Sequence, residues 1–184
     1  MTISETPIPD LLLIEPKVWA DNRGYFYESY SAKAFAELGV DINFVQDNQS
    51  FSQKGILRGL HAQKAPFAQG KLVRVIQGSV LDVAVDARKD SPTFGQHYSV
   101  VLSGENHKQL WLPAGFLHGF LTLEDNTIFT YKVTQYYDKA SEVGVIWNDA
   151  DLNINWSEAI AETDFILSEK DLVLPAFNDF NSPF

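Results

Sequence analysis

The chain has 184 residues, 45% of them hydrophobic, and its 14 basic and 24 acidic residues give a formal net charge of -10. This length is sufficient for one core that buries roughly 70% of the unfolded surface, so we expect a single domain over residues 1–184. The acidic balance argues against a nucleic-acid partner, and the lack of cysteine excludes disulfides, thiolate metal ligands and cysteine nucleophiles.

The amino-terminal residues 1–6 have neither the basic region nor the apolar run of a signal peptide. No apolar stretch elsewhere approaches the length needed to cross a membrane. The sequence therefore predicts a cytoplasmic protein without a membrane partner.

Short β-rich runs recur along the whole chain, with turn-like sequences between them and little helical periodicity. They cover residues 11–15, 25–30, 44–51, 56–61, 72–76, 80–85, 97–102, 109–112, 119–123 and 127–135. Many short strands with frequent turns are typical of an antiparallel sandwich or barrel. We therefore predict an all-β fold with a few short peripheral helices.

Two short helices are predicted from capping signals. Ser31 can cap a helix over residues 32–38, and Gly39 stands where a left-handed stop residue is favoured. Residues 168–171 have the spacing of a capping box that opens a second helix. Residues 178–184 show no periodicity and are expected to form a tail.

The four histidines lie at positions 61, 97, 107 and 118. His97 and His107 have polar neighbours and are expected to be solvated, which leaves His61 and His118 as candidates. Two histidines in a β-barrel suggest a metal site, but a divalent ion needs three or four donors. The charged strand residue that follows His61 is Lys71, which would repel a metal, so we expect none.

Arg58 and His61 can share a pocket only if their strand is irregular, because strict alternation places them on opposite faces. A bulge at Gly59 would resolve this conflict. Each residue also has a structural alternative: His61 as a hydrogen-bonded core histidine, Arg58 in a surface salt bridge, and Lys71 as a surface residue with a buried stem.

Tyr131 and Asp171 complete the set of candidate acid-base groups. Alternation places Tyr131 on a largely apolar strand face, where it could reach a ligand or be a core tyrosine. Asp171 could complete the capping box, or its carboxylate could orient a histidine and strengthen it as a base.

Several separated blocks of the sequence resemble, in order and spacing, the dTDP-4-dehydrorhamnose 3,5-epimerases of nucleotide-sugar metabolism. They are residues 21–28, 44–48, 55–61, 69–75, 91–95, 111–120, 131–132 with 136–137, and 147–149. The resemblance extends over roughly residues 5 to 175. It implies a cupin-like jelly roll acting as a homodimer, with an amino-terminal strand lent to the partner's sheet, and an enzyme without metal or cofactor.

The resemblance also implies roles for individual residues. His61 resembles the catalytic base, paired with Asp171, Tyr131 resembles the acid on the opposite side of the sugar, and Lys71 would face the C4 oxygen. The residues that would hold the nucleotide are Arg58 and His118 near the pyrophosphate, Gln46 and Asn48 along the nucleotide, and Arg23, Phe26 and Glu28 at the nucleoside end across the dimer.

By this resemblance the expected reaction is an isomerase step of dTDP-rhamnose biosynthesis, the epimerisation of dTDP-4-dehydro-6-deoxy-D-glucose at C3 and C5. A C3-only epimerase or a 3,4-ketoisomerase on the same sugar remains an alternative. Two other classes stay open, a metal-dependent cupin enzyme and a non-catalytic sugar-nucleotide binding module. One departure is Ala62, where the family commonly has an aromatic residue, and it predicts a different local packing around the base.

Overall fold

The computed structural model describes residues 1–37, 39–158, 160–161 and 164–184. One α-helix, α1, spans Ala32–Glu37. The strands are β1 (Thr2–Glu5), β2 (Leu12–Glu15), β3 (Trp19–Asp21), β4 (Gly24–Phe26), β5 (Gln46–Ser52), β6 (Leu57–Gln63), β7 (Lys71–Gln77), β8 (Ser79–Asp86), β9 (His97–Ser103), β10 (Gln109–Leu112), β11 (Phe116–Thr122), β12 (Thr127–Val133) and β13 (Glu142–Gly144).

Two antiparallel sheets form the body of the protein. The larger sheet has six strands in the order β1-β2-β10-β7-β12-β5, and the smaller has five in the order β13-β6-β11-β8-β9. Within the described ranges, strands β3 and β4 pair with each other alone, as a separate hairpin. Two facing antiparallel sheets with crossing connections make a jelly roll, which confirms the predicted all-β, cupin-like class.

The inner faces of the two sheets pack together at one end of the sandwich. Val73, Leu110 and Phe129 come from the six-stranded sheet, and Ala84 and Phe120 come from the five-stranded sheet. The rings of Phe120 and Phe129 stack across this space with centroids 4.3 Å apart. Because side chains two residues apart on a strand share a face, the other residues of these strands that point inward can be read from their spacing to this core.

The outer faces of the sheets are covered by different parts of the chain. The outer face of the six-stranded sheet packs on α1, where Phe35 joins Leu72 and Trp111. The outer face of the five-stranded sheet, which includes Leu60, is covered by Trp156 and its carboxyl-terminal neighbours.

The first predicted helix is confirmed and the second is wrong. The Ala34 N–H donates to Ser31 Oγ at 3.4 Å, and Gly39 has the left-handed φ of +83°. Residue 38, the last of the predicted helix, lies outside the described residues. At the second position, the Asp171 N–H bonds to the Ser168 carbonyl and hydroxyl at 3.0 and 3.3 Å, but the chain makes only turns there.

The last residues do not form a free tail. The buried Ser182 hydroxyl donates to the Ala87 carbonyl, and the Lys89 N–H donates to the Phe184 carbonyl at 3.1 Å. The Phe184 side chain packs on the outer cluster of the five-stranded sheet. Aromatic side chains at the end of the chain thus extend the core without any helical or strand period.

Among the described residues, no helix is long and apolar enough to cross a membrane.

Candidate active site

A bulge in β6 places Arg58 and His61 on the same face of the strand. His61 pairs with His118 of β11, but Arg58 pairs with Phe120, so three steps along β6 match two along β11. Gly59 makes this possible with a φ of +126°, and a Cβ there would lie 2.5 Å from the Gly119 Cα. The prediction of an irregularity at Gly59 is confirmed.

The same bulge determines which residues of β6 face outward. Leu57, Leu60 and Ala62 belong to the outer cluster, so Arg58 and His61 point into the sandwich. Ala62 therefore lies on the opposite strand face from the candidate base and packs under the carboxyl-terminal segment. The side chain at position 62 therefore contributes to the outer cluster and not to the inner surroundings of His61.

His61 and Asp171 form a close pair across 110 residues of sequence, with His61 Nε2 2.6 Å from Asp171 Oδ1. The Asp171 side chain is 4% exposed and that of His61 is 23% exposed. Burial raises the pKa of Asp171, but hydrogen bonds from His61 and Ser168 outweigh burial and hold the pKa below its usual range. An ionised carboxylate therefore accepts the Nε2 proton and leaves Nδ1 with a free lone pair.

Lys71 and Tyr131 lie on the facing wall, which is the inner face of the six-stranded sheet. Lys71 is two residues from Val73 on β7, and Tyr131 is two residues from Phe129 on β12. Each therefore lies on the same strand face as a residue of the inner core. Lys71 Nζ donates to the His61 carbonyl oxygen at 3.5 Å, so the ammonium group reaches across to the wall that carries the base.

The ionisation of both groups is shifted by their surroundings. Burial lowers the pKa of Lys71 to about 8, although the charges of Asp82 and Glu142 oppose this shift. Burial raises the pKa of Tyr131, and the nearby Arg58 partly offsets that effect. At neutral pH the site therefore holds an ammonium group and a protonated phenol.

His118 makes a second pair with a carboxylate on the inner face of the five-stranded sheet. Its Nε2 lies 3.2 and 3.0 Å from the two carboxylate oxygens of Asp82 on β8. The His118 ring stacks near Phe129 with centroids 6.2 Å apart, so it faces the larger sheet. The sequence predicted His118 but missed Asp82, which stands in the apolar run 80–85.

Strand β5 adds a polar wall beside Tyr131. Asn48 is directly opposite Tyr131, and Gln46 is opposite Val133, so their side chains share the inner face. The Gln46 Nε2 donates to Asn48 Oδ1 at 2.8 Å. Both predicted residues therefore lie where a ligand between the sheets could reach them.

Three predicted residues lie away from this site within the chain. Arg23 on the β3–β4 hairpin pairs with Asp21 at 2.6 Å, Phe26 is 68% exposed, and Glu28 is also exposed. The hairpin continues onto the outer face of the six-stranded sheet, where the Arg74 guanidinium donates to the Tyr27 hydroxyl at 3.1 Å.

Glu142 is a further charged group that the sequence did not single out. Its carboxylate accepts a hydrogen bond from the Tyr137 hydroxyl at 3.2 Å and forms an ion pair with Lys170. A cavity of about 430 Å³ opens there, with His61, Glu142, Lys170 and Leu174 in its lining. Glu142 thus ties the edge strand β13 to the turn that carries Asp171.

The expectation that His97 and His107 are solvated is wrong in part. Both are half-buried, and burial lowers the pKa of His97. His107 packs against the rings of Tyr25 and Tyr27 at 4.7 and 5.0 Å. In the described parts of the chain, no group of three or more His, Cys, Asp or Glu side chains is placed to hold a metal ion.

These features define the class of protein: a cupin-like jelly roll with acid-base groups on opposing walls of the space between its sheets. The chain belongs to the dTDP-4-dehydrorhamnose 3,5-epimerase family, whose model matches residues 5–179.

Individual relatives agree with this assignment. A dTDP-4-dehydrorhamnose 3,5-epimerase from Salmonella typhimurium is 55% identical over 157 residues, which cover 85% of this chain and 86% of the relative. The crystal structure of the Elizabethkingia anophelis epimerase is 51% identical, covers 98% of each chain and has a TM-score of 0.93. A Legionella pneumophila 3,5-epimerase in complex with dTDP-4-keto-L-rhamnose is 48% identical, covers 98% of this chain and 94% of its own, and has a TM-score of 0.91.

Proposed function

We propose that this chain epimerises dTDP-4-dehydro-6-deoxy-D-glucose at C3 and C5 to give dTDP-4-dehydro-L-rhamnose, a step of dTDP-rhamnose biosynthesis. Family membership and the ligand of the Legionella relative support this reaction. The observation that carries the mechanism is the contact of His61 with Asp171 on one wall, opposite Lys71 and Tyr131 on the other.

The C4 ketone of the substrate makes the hydrogens on C3 and C5 acidic. Removal of either proton leaves an enolate whose negative charge lies mainly on O4. A cation beside O4 stabilises the enolate more than the ketone, and each gain of about 1.4 kcal/mol raises the rate tenfold. Lys71 supplies that cation, because its ammonium group is buried on the inner face next to the base.

His61 acts as the base. Its Nε2 is occupied by Asp171, so the Nδ1 lone pair takes the proton from carbon. The carboxylate of Asp171 fixes the ring orientation and stabilises the imidazolium that forms. The electron pair of the broken C–H bond moves into the enolate, and no redox cofactor is required.

Tyr131 acts as the acid. Its phenol lies on the opposite sheet from His61 and is kept protonated by its raised pKa. Delivery of the phenolic proton to the other face of the enolate inverts the carbon. The enzyme then holds a protonated His61 and a tyrosinate, and proton exchange with water restores both before the second inversion.

The remaining inner residues bind the nucleotide. Arg58 and His118 bind the pyrophosphate, since an arginine fork and an imidazole N–H both donate to phosphate oxygens. Gln46 and Asn48 bind along the nucleotide. Arg23, Phe26 and Glu28 of the hairpin reach the nucleoside from a second copy of the chain, in a cytoplasmic homodimer that also exchanges its amino-terminal strand.

The test is turnover of dTDP-4-dehydro-6-deoxy-D-glucose in D₂O, followed by NMR at each sugar carbon. We expect one deuterium at C3 and one at C5 of the L-rhamno product. Label and inversion at C3 alone would favour the C3-only alternative, and migration of the ketone to C3 would favour a 3,4-ketoisomerase. Binding of dTDP without any exchange would favour a binding module.

A further inference from the structure

Asp82 is a buried carboxylate with no role in the mechanism above. It lies in the middle of β8 between the apolar residues Leu81 and Val83 and is 0% exposed. Within the described parts of the chain, its only hydrogen bonds run to His118 Nε2. A buried carboxylate is costly unless it is paired with a cation, so its place between apolar residues calls for a charged neighbour.

A short series of contacts connects Asp82 with Lys71. His118, which bonds to Asp82, is the register partner of His61, and the His61 carbonyl oxygen accepts from Lys71 Nζ. The Asp82 charge acts on Lys71 directly, where it opposes the lowering of the pKa by burial. One carboxylate thus acts on both His118 and Lys71 of the proposed site.

We propose that Asp82 is a positioning residue that fixes the His118 ring for diphosphate binding and supplies the negative charge that keeps Lys71 an ammonium ion. This proposal rests on the proposed function, because it assigns the groups through which Asp82 acts. Asp82 itself touches neither the sugar nor the nucleotide.

The hydrogen bond from Nε2 leaves Nδ1 as the only His118 nitrogen that can meet a ligand. No described residue bonds to Nδ1. Phosphate oxygens only accept hydrogen bonds, so Nδ1 must carry a proton to bind them. The Asp82 carboxylate on Nε2 fixes the ring so that Nδ1 is the nitrogen that can meet the diphosphate.

Other charges also face Lys71. Glu142 favours its ammonium form and Lys170 disfavours it. Because Glu142 and Lys170 form an ion pair with each other, Lys170 offsets part of the effect of Glu142 on Lys71. Among the described residues Asp82 bonds to His118 alone, and its charge favours the ammonium form of Lys71, so its removal lowers the pKa of Lys71 and the side chain loses its proton at a lower pH.

Asp86 provides a matched control on the same strand. It is also 0% exposed, but its carboxylate accepts from Arg88, Ser91 and Thr93 in the turn after β8. Asp86→Asn should therefore lower the melting temperature without changing the ionisation of Lys71. The variant separates the general cost of losing a buried carboxylate from the effect specific to Asp82.

The first measurement is kcat/KM from pH 6 to pH 10 for wild type, Asp82→Asn, Asp82→Glu and Asp86→Asn. In Asp82→Asn the alkaline limb should move down by about one pH unit or more, a shift that reports differential stabilisation of the ammonium ion. Activity at pH 8 should fall about tenfold and recover in part at pH 6. Asp82→Glu keeps the negative charge, so the alkaline limb of its profile should stay at the wild-type pH. The limb of Asp86→Asn should also stay there.

The second measurement is calorimetric binding of dTDP and of thymidine at pH 8. Asp82→Asn should weaken dTDP binding about tenfold, as expected for loss of one charge-assisted contact, and leave thymidine binding unchanged. Asp82→Glu should weaken dTDP binding as well, because the longer side chain displaces the His118 ring.

An Asp82→Asn protein with the wild-type alkaline limb and wild-type dTDP affinity overturns the proposal, and so does an equal loss of dTDP and thymidine binding. If Asp82→Asn does not fold, the Asp82→Glu results still decide, because a shifted limb with retained charge contradicts the proposal. A wild-type chain that binds dTDP but shows no turnover refutes the proposed function instead, and the calorimetric comparison still tests Asp82.

Discussion

The protein contains two histidine–carboxylate pairs that differ in where the carboxylate comes from. His61 meets Asp171, 110 residues away, in a turn that packs over the sheet edge, and its side chain remains 23% exposed. His118 meets Asp82 on the adjacent strand of the same sheet, and its side chain is 8% exposed. The same two residue types therefore serve in an accessible pair and in an enclosed one.

The difference matches the two tasks that we propose. A base must exchange its proton with substrate and water in every cycle, so it needs access and a carboxylate that can stabilise a transient charge. A diphosphate contact needs a hydrogen-bond donor on a fixed ring, and an enclosed partner on the same sheet holds the ring in place. Substitutions can test whether the two pairs are distinct in this way.

The largest effect is expected from His61→Asn, which removes the base and keeps a side chain of similar shape. Turnover should fall about 10³-fold, which lies within the usual range for loss of a general base. Binding of dTDP should stay within about threefold, because His61 does not contact the diphosphate. The matched variant His118→Asn should show the reverse, with a raised KM and weaker dTDP binding. If both variants lost turnover and dTDP affinity to the same extent, the two pairs would not have the distinct roles proposed.

Tyr131→Phe should reduce formation of the L-rhamno product about 10²-fold, because it removes the acid and leaves the base in place. Deuterium should still enter the recovered substrate, since His61 can remove a proton and return one to the same face. Parallel NMR of exchange and of inversion gives the two rates. Loss of both to the same extent would contradict the assignment of Tyr131 as the acid alone.

Gly59→Ala tests the bulge that brings Arg58 and His61 together. An added Cβ would meet the Gly119 Cα at 2.5 Å, and the φ of +126° disfavours any side chain. We expect a loss of about 2 kcal/mol or more in unfolding free energy and a lower melting temperature. Gly39→Ala, at a φ of +83° with nothing within 4 Å of the added Cβ, is the control and should keep its activity. A fully active and stable Gly59→Ala protein would show that the bulge is not needed.

The smallest effect is expected from Lys170→Met, which breaks the ion pair with Glu142 next to Asp171. Lys170 is 51% exposed, and exposed pairs contribute about 1 kcal/mol or less. Turnover at saturating substrate should fall by less than about threefold, which corresponds to less than that energy. A loss as large as that of His61→Asn would mean that the turn holding Asp171 depends on this pair.

The sequence predicted the inner face of the site better than the segments around it. Alternation along β12 placed Tyr131 on the face that it shares with Phe129, and the conflict between Arg58 and His61 pointed to Gly59. Asp82 was missed, although a carboxylate within the apolar run 80–85 is itself a signal for a buried pair.

The errors lie where tertiary contacts override local signals. Ser168 caps a turn as expected, but Pro175 and the contact of Asp171 with His61 leave no helix after it. Residues 178–184 have no period, yet Phe184 and Ser182 are held by the sheet. Local sequence patterns do not predict where the β3–β4 hairpin lies relative to a second chain, because they carry no information about the partner's surface.

The most direct test of the mechanism is a crystal structure of the chain with dTDP-4-dehydro-L-rhamnose bound. The account predicts His61 Nδ1 and Tyr131 Oη on opposite faces of the hexose, each within about 3.5 Å of C3 or C5. It also predicts Lys71 Nζ within about 3 Å of O4. A hexose with both groups on the same face, or with neither group near its ring, would contradict it.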